Sequence, residues 1–120
     1  ITMNRDRLLA DAKALALKLV AEGYKPPDPV ELRLPGPTAR AALKLAVDGF
    51  ALQGVALPHD VTVAGHLANV LSGGATDIMD TIGEDQICAL EKKAFMSLIR
   101  TALTLARMEA MLEDGKPLRN

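Results

Sequence analysis

Two histidines, His59 and His66, stand seven residues apart. Histidine is the commonest metal ligand and the side chain whose charge changes near neutral pH. On one helix, that separation puts the rings two turns apart on the same side, too far to share an ion unaided. The helical zinc signature needs two histidines four apart with a glutamate partner, and it is absent. The pair therefore predicts first-turn and surface histidines rather than a metal centre. Cys88, the one cysteine, falls among Ile87, Leu90 and Ala94 with no histidine close in sequence. A nucleophilic thiol needs a base and an electropositive setting, so a buried structural thiol is predicted.

Asp77 and Asp80, then Glu84 and Asp85, are carboxylate pairs of the sort that general acid–base chemistry uses. A catalytic pair needs a hydrophobic pocket to set its two members apart. The neighbouring sequence offers none, so these acids read as solvated caps. Ser72-Gly73-Gly74 is rich in glycine, but an apolar helical run precedes it and no lysine follows at phosphate-loop spacing. It reads as a helix stop. No Gly-x-Gly-x-x-Gly occurs, which excludes that dinucleotide fingerprint from these residues. Met96, Met108 and Met111 form a soft apolar set, predicted to be core.

The elements that would position these residues are helices. Asn4 is an N-cap with Asp6 in the first turn. Leu8, Leu9, Ala12, Leu15, Ala16, Leu19 and Val20 then follow helical spacing over 5–22, and Gly23 stops the helix. Residues 24–37 contain Lys25-Pro26-Pro27-Asp28-Pro29, which no helix accommodates. Val30, Leu32 and Leu34 alternate with polar residues there, which predicts an extended connector with room for one short edge strand. A second helix starts at Pro37 and runs to about Gln53, with Ala41, Ala42, Leu45, Ala46 and Leu52 available for packing. A third starts at Pro58, with Asp60 in its first turn, and carries Val61, Ala64, Leu67, Ala68 and Leu71. Residues 75–83 read as a loop. A fourth helix begins at Glu84-Asp85, with Ile87, Cys88, Leu90, Ala94, Phe95, Leu98 and Ile99 on its apolar face. Thr101 caps a fifth, carrying Leu105, Met108, Ala110, Met111 and Leu112, which ends at Gly115. The expectation is one all-α domain over 1–120. Its five helices form a small antiparallel bundle, the last four within 37–114, after the proline-rich connector.

Composition agrees. Hydrophobic residues make up 49% and aromatics only 2% of 120 residues, so Leu, Ala, Val, Met and Ile must build the core. A net charge of −1 lacks the cationic surplus that nucleic-acid binding requires. The second and third helices also lack a basic recognition face for a helix-turn-helix regulator. A single cysteine excludes an internal disulfide and suits the reducing cytoplasm. No apolar run is long and unbroken enough to span a bilayer. The chain opens on Ile1 rather than Met, so an N-terminal portion is expected to precede it.

The last thirty residues carry a resemblance. Glu91-Lys92-Lys93-Ala94-Phe95-Met96-Ser97-Leu98-Ile99-Arg100-Thr101, Ala106-Arg107-Met108-Glu109-Ala110-Met111-Leu112 and Gly115-Lys116-Pro117-Leu118-Arg119-Asn120 resemble the C-terminus of the crotonase (enoyl-CoA hydratase) superfamily. They are most similar to bacterial fusions in which a 3-hydroxyacyl-CoA dehydrogenase precedes the hydratase domain. The ending Gly-Lys-Pro-Leu-Arg-Asn is the most specific piece. Ile1-Thr2-Met3-Asn4 is similar to the point where the crotonase spiral core gives way to trailing helices. Residues 23–74 resemble, more loosely, the insert of those fusions. Ala102-Leu103 depart from the proline expected after Thr101. Asp114 stands where Thr or a basic residue is common.

The resemblance implies a helical C-terminal portion of an enzyme of fatty-acid β-oxidation, without catalytic residues of its own. The oxyanion hole and paired acids would lie in an upstream spiral core. NAD would be bound by the parent's dehydrogenase domain, leaving no cofactor in this chain. The upstream domains and, through them, acyl-CoA are the implied partners; no nucleic acid and no membrane is expected. Phe95 falls on the aromatic position that meets the adenine end of CoA, with Lys116 as the cation beside it. The competing expectation is a free-standing helical interaction or scaffold domain. The apolar arc of the first helix, Leu8, Leu15 and Leu19 widened by Ala10, Ala14, Leu17 and Ala21, exceeds a single stripe. It predicts self-association of the chain, as a two-fold dimer.

Overall fold

Capping residues set the helix boundaries. In the computed structural model, which describes residues 4–120, Asn4 accepts the Asp6 amide at 2.9 Å and starts a 3-10 turn, Arg5–Arg7. The turn runs on into α1, Leu8–Ala21. Ile1-Thr2-Met3 lies outside the described residues. After the proline segment come β1, Glu31–Leu32, and α2, Gly36–Leu52, with Pro37 in its first turn. Helix α3, Pro58–Leu71, opens on proline, where the missing N–H costs nothing. Strand β2 spans Ile82–Gly83, α4 spans Glu84–Leu98 and α5 spans Ala102–Asp114. The Gln86 side chain accepts the Gly83 amide at 2.9 Å ahead of α4. The Thr101 hydroxyl accepts the Thr104 amide at 3.3 Å ahead of α5. Gly115 closes α5 in the left-handed conformation, φ 65°.

The chain is therefore mostly α. One antiparallel ladder pairs Glu31 with Gly83 and Leu32 with Ile82. The connector strand expected from alternation is present. Its partner sits in the stretch read as loop, where two residues are too few to show a period.

The buried centre lies where α2 begins and α3 ends. The Gly36 amide donates to the Ser72 carbonyl at 2.8 Å, and the Thr76 hydroxyl donates to the Gly73 carbonyl at 2.7 Å. A Cβ on Gly36, whose φ is +55°, would collide with the Thr76 carbonyl oxygen. Leu34 and Leu90 pack onto Gly73 and Gly74. Ala68, Val70 and Ile82 complete this small core. From it, α3 packs against both α2 and α4.

Several sequence expectations change here. On α2 the stripe Ala41, Ala42, Leu45, Ala46 and Leu52 is exposed, Leu45 at 75% and Leu52 at 91%; Ala39, Val47 and Ala51 turn toward the interior instead. α2 is covered on one side only, and its many alanines left the phase of the face open. Cys88 is exposed, not buried. The covered stripe of α4 is Ile87, Leu90, Ala94 and Leu98, and Cys88 and Phe95 share an exposed side next to it, about a quarter-turn away. Met96, Met108 and Met111 are exposed rather than core. His59 is buried, not a surface histidine; its Nε2 lies 2.8 Å from Thr104 Oγ1, joining α3 to α5.

Helix α1 stands clear of the rest. Only Asp11 and Leu19 along it are half-buried. The Cα radius of gyration is 20.4 Å, against roughly 14 Å for a compact domain of this length.

The His59–Thr104 contact gives a stability test. Thr104→Val keeps the shape and strands a buried ring nitrogen, which costs about 1–3 kcal/mol. Urea unfolding is expected to show that loss for Thr104→Val and much less for Thr104→Ser, which keeps the hydroxyl.

Candidate functional site

Two groups of polar side chains stand out. The first is a clamp where α3, α5 and the tail meet. Asp60, in the first turn of α3, accepts the Leu57 amide at 2.9 Å and Arg107 Nη2 at 2.7 Å. Arg107 also donates through Nε to the Asn120 side chain at 2.7 Å and through Nη2 to the Asn120 carbonyl at 3.0 Å. Asn120 returns a bond to the Leu103 carbonyl at 3.0 Å. Arg119 donates to the Val55 carbonyl at 2.7 Å, and its guanidinium lies 3.8 Å from Asp60. The Leu57 amide and then the Arg107 guanidinium hold the Asp60 carboxyl below its ordinary range. The chemistry is structural: both Asp60 oxygens and both polar atoms of the Asn120 side chain are taken up within the clamp.

The second is a groove of about 440 Å³ between α3 and α4. Thr62, His66 and Asn69 come from α3, Lys93 and Ser97 from α4, over a floor that includes Val61 and Leu90. Arg40 of α2 donates to Asn69 Oδ1 at 2.8 Å and fixes that amide. Donors and cations without a carboxylate suit an anionic or acidic partner.

Of the residues read from sequence, His66 reaches this groove while His59 is committed to Thr104. Among the described residues, no three of His, Cys, Asp and Glu gather as a metal site. Asp77 and Asp80 are exposed in the loop; Glu84 and Asp85 are exposed in the first turn of α4. Phe95 is 53% exposed on α4 and Lys116 is exposed in the tail; neither lines the α3–α4 groove. Gly73 and Gly74 do not fit a nucleotide cradle. They are buried, and a Cβ on Gly73 would meet Leu34 at 3.0 Å, which leaves no room for a pyrophosphate. Sequence reading missed Arg40, and it placed Lys93 and Arg107 in the tail motifs without giving them a role. Asp60 was visible as a helix-start acid, and Arg119-Asn120 as the end of the most specific tail motif.

The chain is related, over its whole length, to part of a longer protein. It is 41% identical over 120 residues to the "Probable 3-hydroxyacyl-CoA dehydrogenase" of Bacillus subtilis (strain 168), and spans 15% of that protein's length. No protein-family profile matches the sequence, and no solved structure matches it.

Asp60 has a pH signature. Its carboxyl is held down in the fold, so its contribution to stability is present above the unfolded carboxylate range and disappears as pH falls through the folded value. Asp60→Asn is expected to lower the unfolding midpoint at pH ~7, with the gap to wild type narrowing at pH ~3. A gap that stays constant would mean that the charge contributes nothing. No described helix is long and apolar enough to cross a membrane.

Proposed function

We propose that this chain is a non-catalytic helical segment of a 3-hydroxyacyl-CoA dehydrogenase, packing against the domains that carry out the chemistry. The observation behind this reading is 41% identity sustained over every residue of the chain. The exposed apolar sides of α1, α2 and α4 support it, because a surface of that extent is normally covered. The tail resemblance adds the finer parts: a C-terminal position, an accompanying enoyl-CoA hydratase activity, and work on fatty acyl-CoA in the cytoplasm. NAD is then held elsewhere in the same polypeptide.

In this reading the segment covers the acyl-CoA site or packs between subunits. Phe95 offers an exposed ring suited to stacking on adenine. Lys116 offers a cation suited to the CoA phosphates. Helix α1 is covered by the remainder of the polypeptide.

A graft tests the reading. The purified chain is expected neither to oxidise 3-hydroxybutyryl-CoA with NAD nor to hydrate crotonyl-CoA. The Bacillus dehydrogenase with its matching stretch replaced by this chain is expected to stay soluble and to keep kcat/KM within about tenfold of the parent. Phe95→Ala in the graft should raise KM for acyl-CoA with little change in kcat. Turnover by the isolated chain that is lost on mutation within it, or a graft that folds but is dead, would overturn the proposal.

A further inference from the structure

Three open grooves adjoin across α2, α3 and α4. The 440 Å³ groove between α3 and α4 shares Val61 and Gly65 with one of about 330 Å³ between α2 and α3. It shares Leu90 and Lys93 with one of about 500 Å³ beside the glycine turn. Arg40, Lys44, His66 and Lys93 line this strip, and no Asp or Glu does. Yet the whole chain carries 15 acids against 14 Lys and Arg. Lys44 is balanced by Asp48 at 2.7 Å; Lys93 stands at the junction of two grooves. The floor is apolar: Val47, Ala64, Ala68, Leu90 and Ile82. A shallow strip with an apolar floor and cationic edges matches one partner shape, a helix whose apolar side is flanked by acids.

The chain itself supplies that helix. On α5, Leu105, Met108, Met111 and Leu112 are exposed, Leu112 at 84%. At about 100° per residue, Glu109 and Glu113 fall beside the Leu105–Leu112 edge of that apolar arc, and both are exposed. Arg107, the one cation of α5, borders the other edge of the arc beside Met108 and Met111, where its guanidinium is engaged by Asp60 and Asn120. The outward side of α5 therefore presents acids and apolar side chains together, the complement of the strip.

We propose that two copies of this chain associate as a reciprocal two-fold pair, the outward face of α5 in each copy lying along the cationic strip over α2, α3 and α4 of the other. Charge complementarity sets the pairing and apolar contact holds it. Two-fold symmetry makes the contact twice and closes the assembly. Each contact then supplies only half of the roughly 1,600 Å² of a standard interface. The inference does not rest on the dehydrogenase reading; it uses only the faces and charges of this chain.

Sedimentation equilibrium of the purified chain at ~50 µM, a range that detects micromolar pairing, is expected to show dimers. Arg40→Glu with Lys93→Glu should weaken the dimer at least about tenfold, as should Glu109→Lys with Glu113→Lys, because each reverses close charge pairs. The four changes together should restore it. Leu9→Lys with Leu17→Lys, on the α1 arc that the sequence alone assigned to self-association, should leave it unchanged, because this pairing uses α5 and the strip instead. Far-UV circular dichroism establishes that each variant is folded, and the two reversals test the contact from opposite sides. A monomeric wild type, open-ended oligomers, dimers indifferent to both reversals, a fourfold variant that stays monomeric, or a dimer lost to the α1 changes would each overturn the proposal.

Discussion

The amide of Gly36 pointing at the carbonyl of Ser72 is the contact on which the fold depends. It joins the first residue of α2 to the residue that caps α3, and so turns two consecutive helices into one unit. The approach is too close for any side chain at Gly36, since the Thr76 carbonyl occupies the place of a Cβ. Glycine's freedom at positive φ is used here for contact as well as for turning. Leu34, leaving the proline connector, and Leu90, arriving on α4, then close over Gly73 and Gly74. The two-residue ladder beside them pins the connector to the start of α4. A core of small residues suffices because backbone meets backbone.

Farther from that point, polar joints replace apolar ones. Helix α5 has no fully buried residue. What fixes it is the His59–Thr104 contact and the clamp of Arg107 with Asp60 and Asn120. Arg107 suits this place because a planar guanidinium can serve a carboxylate, an amide and a carbonyl at once. At 24% side-chain exposure it is only partly desolvated, so the clamp orients α5 more than it stabilises it. Its arms come from positions 60, 107 and 120. No local pattern announces such a joint.

Helix ends were legible in the sequence. Asn4, Pro58, Thr101 and Gly115 each do at a terminus what their chemistry suggests, because capping is settled within four residues. Faces were less legible. On α2 and α4 the apolar residues spread over more than one side, so periodicity alone left the choice between Phe95 and Leu90, or between Leu45 and Val47, to the neighbouring elements. His59 shows the same limit. Nothing near it in sequence says that a threonine 45 positions away will meet its ring. Of the histidines, cysteine and carboxylates singled out for chemistry, His66 alone entered the α3–α4 groove; the side chains facing it came from α4, with Arg40 of α2 holding Asn69 beside it.

Net charge conceals the most directional property of this surface. A total of −1 describes a chain whose acids and bases nearly cancel. That sum is the same whether the charges alternate or segregate. Here a local part of them segregates: Arg40, Lys44 and Lys93 gather along the strip on α2, α3 and α4, and Glu109 and Glu113 stand on the outward side of α5. The segregation follows from the clamp. By engaging the Arg107 guanidinium, Asp60 and Asn120 leave Glu109, Glu113 and Asp114 as the exposed charges of α5. An interaction inside one copy thus sets the sign of the face offered outside it. A helix so oriented, beside exposed leucine and methionine, is shaped for a cationic partner surface.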